Sequence, residues 1–174
     1  RSRGLGDVYK RQGFTMPQTE MTCHSPATEQ APDGATRIAL IGSPNGGKTS
    51  IFNQLTGLHA KTGNYPGVTV SRSEGVARIH DHTFAIEDLP GTYSLSPISP
   101  DEQVVVDVLD GRMDQVSAPD ALVVVADATA LRRSLLLLAE VLPRHLPTAV
   151  VVTMTDELRR RQGSLDVTAL SQAL

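Results

Sequence analysis

Gly42-Ser43-Pro44-Asn45-Gly46-Gly47-Lys48-Thr49 stands between a short apolar run and a stretch with helical spacing, and that order decides the fold. The run before it, Arg37-Ile-Ala-Leu-Ile41, is β-rich and uncharged after its first residue. In the stretch after it, Ser50-Ile-Phe-Asn-Gln-Leu-Thr56, the residues Ile51, Phe52 and Leu55 fall on one helical face. A strand, a glycine-rich loop ending in Gly-Lys-Thr and a helix make up a phosphate-binding loop. Gly42 and Gly47 let the backbone curl so that consecutive N–H groups point at phosphate oxygens, and the helix start adds its positive dipole end. Gly42, Asn45, Gly46, Gly47 and Ser50 are therefore expected phosphate contacts. Lys48 is expected on the outer phosphates and the Thr49 hydroxyl on magnesium.

Three further stretches follow in the order that guanine-nucleotide hydrolysis requires. Asp88-Leu89-Pro90-Gly91 comes after a second candidate strand, Thr83-Phe-Ala-Ile-Glu87. It matches an Asp-x-x-Gly box in which Asp88 holds magnesium through water and the Gly91 amide senses a γ-phosphate. Between the two boxes lies Gly63-Asn-Tyr-Pro-Gly67-Val68-Thr69, rich in turn residues and ending in a hydroxyl that can complete the magnesium shell. An ordinary surface loop reads the same way. The fourth stretch, Val150-Val-Val-Thr153-Met154-Thr-Asp156, is an apolar strand running into Thr-x-x-Asp. Asp156 can accept from the two donors on the guanine edge, which adenine does not present. Thr153 stands where Asn is usual; its hydroxyl can bond locally but cannot make the two-ended contact of an amide, so weaker affinity is expected without loss of base choice.

The spacing predicts strands near 37–41, 74–80, 83–87, 121–126 and 148–153. Helices are predicted near 48–56, 101–109, 130–142 and 157–162, with a last one from 167. The second and third strands read as an antiparallel hairpin turning at Asp81-His82. The remainder alternates with helices, which predicts an α/β three-layer sandwich around a mostly parallel sheet, with ligand at the carboxyl ends of the strands. Asp101 and Glu102 after Ser99-Pro100 read as a helix start rather than as catalytic carboxylates.

Composition excludes several classes. Of 174 residues, 40% are hydrophobic and 3% aromatic, enough for one core built on Val, Leu and Ile. Setting aside residues 1–15 removes Arg1, Arg3, Lys10, Arg11 and Asp7 and moves the formal charge from −3 to −6. An acidic domain offers no footprint for nucleic acid. The single Cys23 excludes an internal disulfide. The apolar stretches 121–126 and 135–139 fall far short of the about 20 residues of a membrane helix.

Both ends carry expectations of their own. Asp7 to Gln12 back-translates to a transposon end used in sequencing libraries, so residues 1–15 are read as a library artefact and excluded from the fold. Residues 16–35 read as a disordered, Pro/Thr/Glu/Gly-rich tail. At the other end the sequence stops at Leu174 with no Ser-Ala box after Asp156, so 36–174 is expected to lack its sixth strand.

Taken together these residues resemble the G domain of the FeoB ferrous iron transporters, of the TrmE-Era-like, potassium-activated P-loop GTPases. The resemblance rests on Pro44-Asn45, on Gly63-Asn-Tyr-Pro-Gly-Val-Thr-Val70 with Ser71-Arg-Ser-Glu-Gly75, and on Asp88-Leu-Pro-Gly-Thr-Tyr-Ser-Leu-Ser-Pro97. It continues through Pro119-Asp-Ala-Leu-Val-Val-Val-Ala-Asp-Ala-Thr129 and covers residues 36–174. Ser43, Tyr65 and Thr153 depart from its usual Asn, Trp and Asn.

The resemblance implies a P-loop NTPase fold, slow hydrolysis of GTP to GDP with magnesium, and a membrane permease domain as covalent partner. The full-length protein would then hold this domain, itself soluble, at the cytoplasmic face of the bacterial inner membrane, where it drives or gates ferrous iron uptake. Thr92 follows Gly91 where Ras-like GTPases carry a water-orienting Gln. The resemblance supplies potassium for that task, held by Asn45 and by carbonyls of residues 63–65. Asn45, Lys48, Thr69 and Gly91 form the expected catalytic set. Two readings stay open beside it: a potassium-dependent GTPase of ribosome or tRNA maturation, and a non-catalytic guanine-nucleotide switch. The former predicts Asp-Thr-Pro-Gly and basic appended domains, and neither is seen.

Overall fold

The computed structural model describes Pro32 and residues 34–173. The segment 1–15, expected to be a library artefact, lies outside the described residues, as does the expected tail 16–35 apart from Pro32, Gly34 and Ala35.

Six strands form one sheet in the order β2-β3-β4-β1-β5-β6. They are β1 (Thr36–Gly42), β2 (Ala60–Asn64), β3 (Ser71–Ile79), β4 (His82–Asp88), β5 (Ala121–Asp127) and β6 (Thr148–Thr153). The helices are α1 (Lys48–Thr56), α2 (Pro100–Leu109), α3 (Leu131–Val141), α4 (Thr155–Arg160) and α5 (Val167–Ala173). β1 pairs in parallel with β4 and β5, and β5 with β6, while β2–β3 and β3–β4 are antiparallel. The mostly parallel sheet is as expected, and it has six strands where the spacing predicts five. The additional strand is Ala60–Asn64 at the far edge, and it takes in Gly63 and Asn64 of the turn-rich stretch. Four of its five residues are exposed, so it carries no apolar alternation. Pairing with β3 makes it a strand, not its own pattern.

Alternation along β1 sends side chains to two cores. Leu40 joins Phe52 of α1, Ala77 and Ile86 on one face. Ala39 and Ile41 join Val104, Val105 and Val108 of α2 and Leu137, Leu138 and Val141 of α3 on the other. β5 follows suit, with Leu122 and Val124 in the larger core. Helices therefore cover both faces of the sheet, which is why the central strands read as nearly continuous apolar runs.

Local chemistry sets the element ends. The β3–β4 hairpin turns at His80-Asp81, one residue earlier than predicted, with His80 left-handed at φ 54°. α2 begins at a capping pair: the Ser99 hydroxyl accepts from the Glu102 amide at 3.3 Å, and the Glu102 carboxylate accepts from the Ile98 amide at 2.9 Å. Pro100 takes the first helical position. α4 starts at Thr155, two residues before its predicted start, because left-handed Met154 at φ 55° ends β6 and turns the chain.

Candidate functional site

The carboxyl ends of β1, β4, β5 and β6 converge on the loop 42–48. Gly42 ends β1 where a side chain has no room: a Cβ there would stand 2.6 Å from the Val125 carbonyl oxygen. Asn45 and Gly47 are left-handed, at φ 61° and 86°. These two reversals turn the chain so that α1 begins at Lys48 with no side chain capping its first turn. With no side-chain cap, the first-turn N–H groups are left for an anion to satisfy.

Two cavities flank this helix start. One, of about 500 Å³, is lined by Pro44, Asn45, Gly47, Lys48, Ser50 and Met154, among others. The other, of about 390 Å³, is lined by Thr69, Asp88, Leu89, Pro90 and Asp101. Lys48 and Gly91 line both, so they form the shared wall. A third, of about 490 Å³, lies against Gly67, Val68, Thr69 and Pro100.

Asp88 is the centre of the charge arrangement. The Lys48 ammonium pairs with its Oδ1, and the Thr49 hydroxyl donates to its Oδ2 at 3.0 Å. Lys48 is buried although charged, as is reasonable only with such a partner. The hydroxyl and carboxylate oxygens match the ligands of a hard divalent cation, and the ammonium within the same hydrogen-bond network matches phosphate oxygens beside it. The residues present therefore fit magnesium and a nucleotide phosphate chain.

The Asp-x-x-Gly segment is held at both ends. The Leu89 amide donates to the Leu40 carbonyl at 3.2 Å and the Thr92 amide to the Gly42 carbonyl at 3.0 Å. A Cβ on Gly91 would stand 2.8 Å from Cγ of Pro44, so only glycine lets this segment meet the loop. Leu89 belongs to the larger core and also lines the second cavity. Thr92 is also fully buried, and its hydroxyl donates to the Ser94 carbonyl at 2.6 Å.

Thr153 reaches the loop directly. Its hydroxyl lies 2.6 Å from the Gly46 carbonyl and 3.3 Å from that of Ala126, tying the end of β6 to the phosphate loop. Met154 lines the first cavity beside it. Asp156 is not brought to these cavities. It is exposed in the first turn of α4 and pairs with Arg160 at 3.3 Å. Arg161, whose Nε donates to the Glu157 carboxylate at 2.9 Å, holds that carboxyl below its ordinary range.

Sequence reasoning missed two features. Asp101 lines the second cavity as well as opening α2, and nothing in its spacing from Asp88 marks that. Tyr65 is buried, with its hydroxyl on the Glu87 carboxylate at 2.9 Å. Burial and the neighbouring Glu87 charge push its phenol far above the ordinary tyrosine range. Arg72 shares Glu87; burial lowers its guanidinium pKa, but the Glu87 hydrogen bond and charge outweigh that and raise it. No helix among the described residues is long and apolar enough to cross a membrane.

Comparison with known proteins bears on this geometry. The family model described as ferrous iron transport protein B matches residues 36–174. An Fe(2+) transport protein A/Fe(2+) transporter FeoB fusion protein of Porphyromonas gingivalis is 43% identical over 147 residues, 84% of this chain and 17% of that relative. The crystal structure of the G domain of the T. maritima FeoB iron transporter matches with a TM-score of 0.71 at 39% identity, covering 80% of this chain and 82% of that one. The cytosolic domain of the same transporter in a GDP form matches with a TM-score of 0.72 at 37% identity, covering 82% and 54%. The chain thus spans less than a fifth of the curated relative's length.

Proposed function

This chain belongs to the ferrous iron transport protein B family, and we propose that its residues 36–174 bind and hydrolyse GTP as the G domain of such a transporter. The observation that carries the reading is the convergence of Lys48 and Thr49 on Asp88, between two cavities that share Lys48 and Gly91. Family membership favours this over a role in ribosome or tRNA maturation.

In this reading the amides of the loop 42–48 and the start of α1 hold the phosphates. Lys48 turns from Asp88 to the outer phosphates. Thr49 and Thr69 ligate magnesium, Asp88 holds it through water, and Gly91 donates its amide to the γ-phosphate. Asp156 swings from Arg160 to the guanine edge, and Gly67 and Val68 complete the loop that carries Thr69. Magnesium and potassium, when bound, counter the charge that grows on the phosphate oxygens during hydrolysis. Thr92 is turned into the core, so no side chain after Gly91 orients water. Asn45, exposed on the rim of the first cavity, is the side chain placed to hold potassium. The rest of the family's activity, ferrous iron uptake through a permease domain at the cytoplasmic face of the inner membrane, is proposed for the longer protein. That buried Thr92 also favours a second reading, a guanine-nucleotide switch with incidental turnover.

Single-turnover hydrolysis in potassium against sodium separates the two. Potassium should raise the rate, and Asn45→Ala should remove that gain by roughly ten-fold or more while GTP affinity stays within a few-fold. Equal rates in the two salts would favour the switch. Parallel loss of binding and turnover in both salts would reduce Asn45 to a residue that shapes the loop.

A further inference from the structure

One charged cluster, centred on the buried Glu87 and otherwise half-buried, lies away from the phosphate loop. Glu74 of β3 and Glu87 of β4 stand directly opposite each other, a like-charge pairing that is unfavourable alone. Two guanidiniums offset it. Arg37 of β1 donates to Glu74 at 3.1 Å and to Glu87 at 3.3 Å. Arg72 of β3 donates to Glu87 at 2.9 Å through Nε and pairs with Glu74 at 3.3 Å. The four charges balance, yet the Glu87 oxygen that meets Arg72 also accepts the Tyr65 hydroxyl at 2.9 Å.

Tyr65 belongs to the loop that joins β2 to β3, not to the sheet. It is only 1% exposed, and the Arg72 guanidinium lies 5.8 Å from its ring centre. The loop closes on it: its amide donates to the Val70 carbonyl at 2.9 Å, and its carbonyl accepts from the Val68 amide at 3.3 Å. Thr69 lies inside that closed turn and is exposed toward the second cavity. Tyr65 lines none of the three cavities described above.

We infer that the Tyr65 hydroxyl, seated on Glu87 between Arg37 and Arg72, is a lock that pins the loop 65–70 to the sheet and thereby sets where Thr69 stands beside Lys48 and Asp88. A hydrogen bond from a neutral donor to a buried carboxylate is stronger than one between neutral groups. Between Tyr65 and the buried Val70, residues 67–69 are exposed, so the loop is fastened at its two ends and the Tyr65 hydroxyl is the polar contact that holds the first of them to the sheet. Tyr65 is a positioning residue: it acts through Thr69. The part of the inference that concerns Thr69 rests on the nucleotide-binding reading.

The test uses the full 174-residue chain with Tyr65→Phe, which keeps the ring and removes one oxygen. Amide-resolved hydrogen exchange, without nucleotide, should show residues 65 and 68 exchanging roughly ten-fold faster while β1 and β5 keep their rates. Unchanged exchange at 65 and 68 overturns the lock. Equal acceleration throughout β1 and β5 also overturns it, since the hydroxyl then serves the whole fold. On the same variant, GDP affinity should stay within about two-fold while the preference for a non-hydrolysable GTP analogue with magnesium falls about five-fold. Equal weakening of both ligands severs the link to Thr69. Failure of the unsubstituted chain to bind either ligand counts against the proposed function, and the exchange result still judges the lock.

Discussion

At the scale of single residues, Thr153 and Asp156 divide between them work that sits close together in sequence. Thr153 hydrogen-bonds the Gly46 carbonyl, so its place is in the architecture of the phosphate loop. Thr153→Val keeps the shape and deletes the donor, which should leave that carbonyl unsatisfied at a cost of about 1–3 kcal/mol and weaken GDP and ADP alike. Asp156→Asn should act on base choice instead. It sets donor against donor at the guanine edge, so GTP affinity should fall roughly 30-fold or more while xanthosine triphosphate, which offers an acceptor there, gains. Equilibrium titration of the three bases against both variants checks the pair. An unchanged GTP to ATP preference in Asp156→Asn removes Asp156 from the base site. The role proposed for Asp156 can be read from the sequence because a guanine edge calls for a carboxylate. Its exposed pairing with Arg160 cannot, because a helix-surface ion pair depends on which turn the helix starts in.

At the scale of elements, what could be read and what could not follows from the range of the forces involved. α1 and α2 carried their own signals: a Gly-Lys-Thr start in one, and Ser99-Pro100 with acidic residues behind it in the other. The α2 cap is local chemistry, and its contribution can be measured. Ser99→Ala should cost about 1 kcal/mol and lower the melting temperature by about 2–4 °C; no shift would show that Pro100 and Glu102 suffice. β2 carried no signal, because four of its five residues face solvent and only β3 defines it. The Tyr65 cluster was invisible for a related reason. Arg37, Tyr65, Arg72, Glu74 and Glu87 come from three strands and a loop, and no spacing rule gathers charges across parallel and antiparallel neighbours at once.

At the scale of the whole molecule, the sheet has a polar edge and an apolar one. β2 ends the sheet with exposed polar residues, which discourages further pairing. β6 ends it with Val150, Val151 and Val152 only partly covered and, among the described residues, a single neighbour, β5. Such an edge invites another strand, so the chain should associate with rising concentration, and Ala149→Lys should reduce that association in sedimentation velocity. A monomer at all concentrations would mean that the edge is covered. The fastening of residues 88–92 bears on how a bound γ-phosphate is reported. Leu89 and Thr92 are each bonded back to β1, Pro90 has a fixed φ, and Gly91 rests against Pro44. With both flanks anchored, the segment has little freedom to travel, and what is left to it is rotation of the peptide plane between Pro90 and Gly91, whose ends carry no such bond back to β1. In the proposed reading, in which the Gly91 amide meets a γ-phosphate, the signal leaving this site is then a change in the direction of one dipole rather than a displacement, small in ångströms and large in angle.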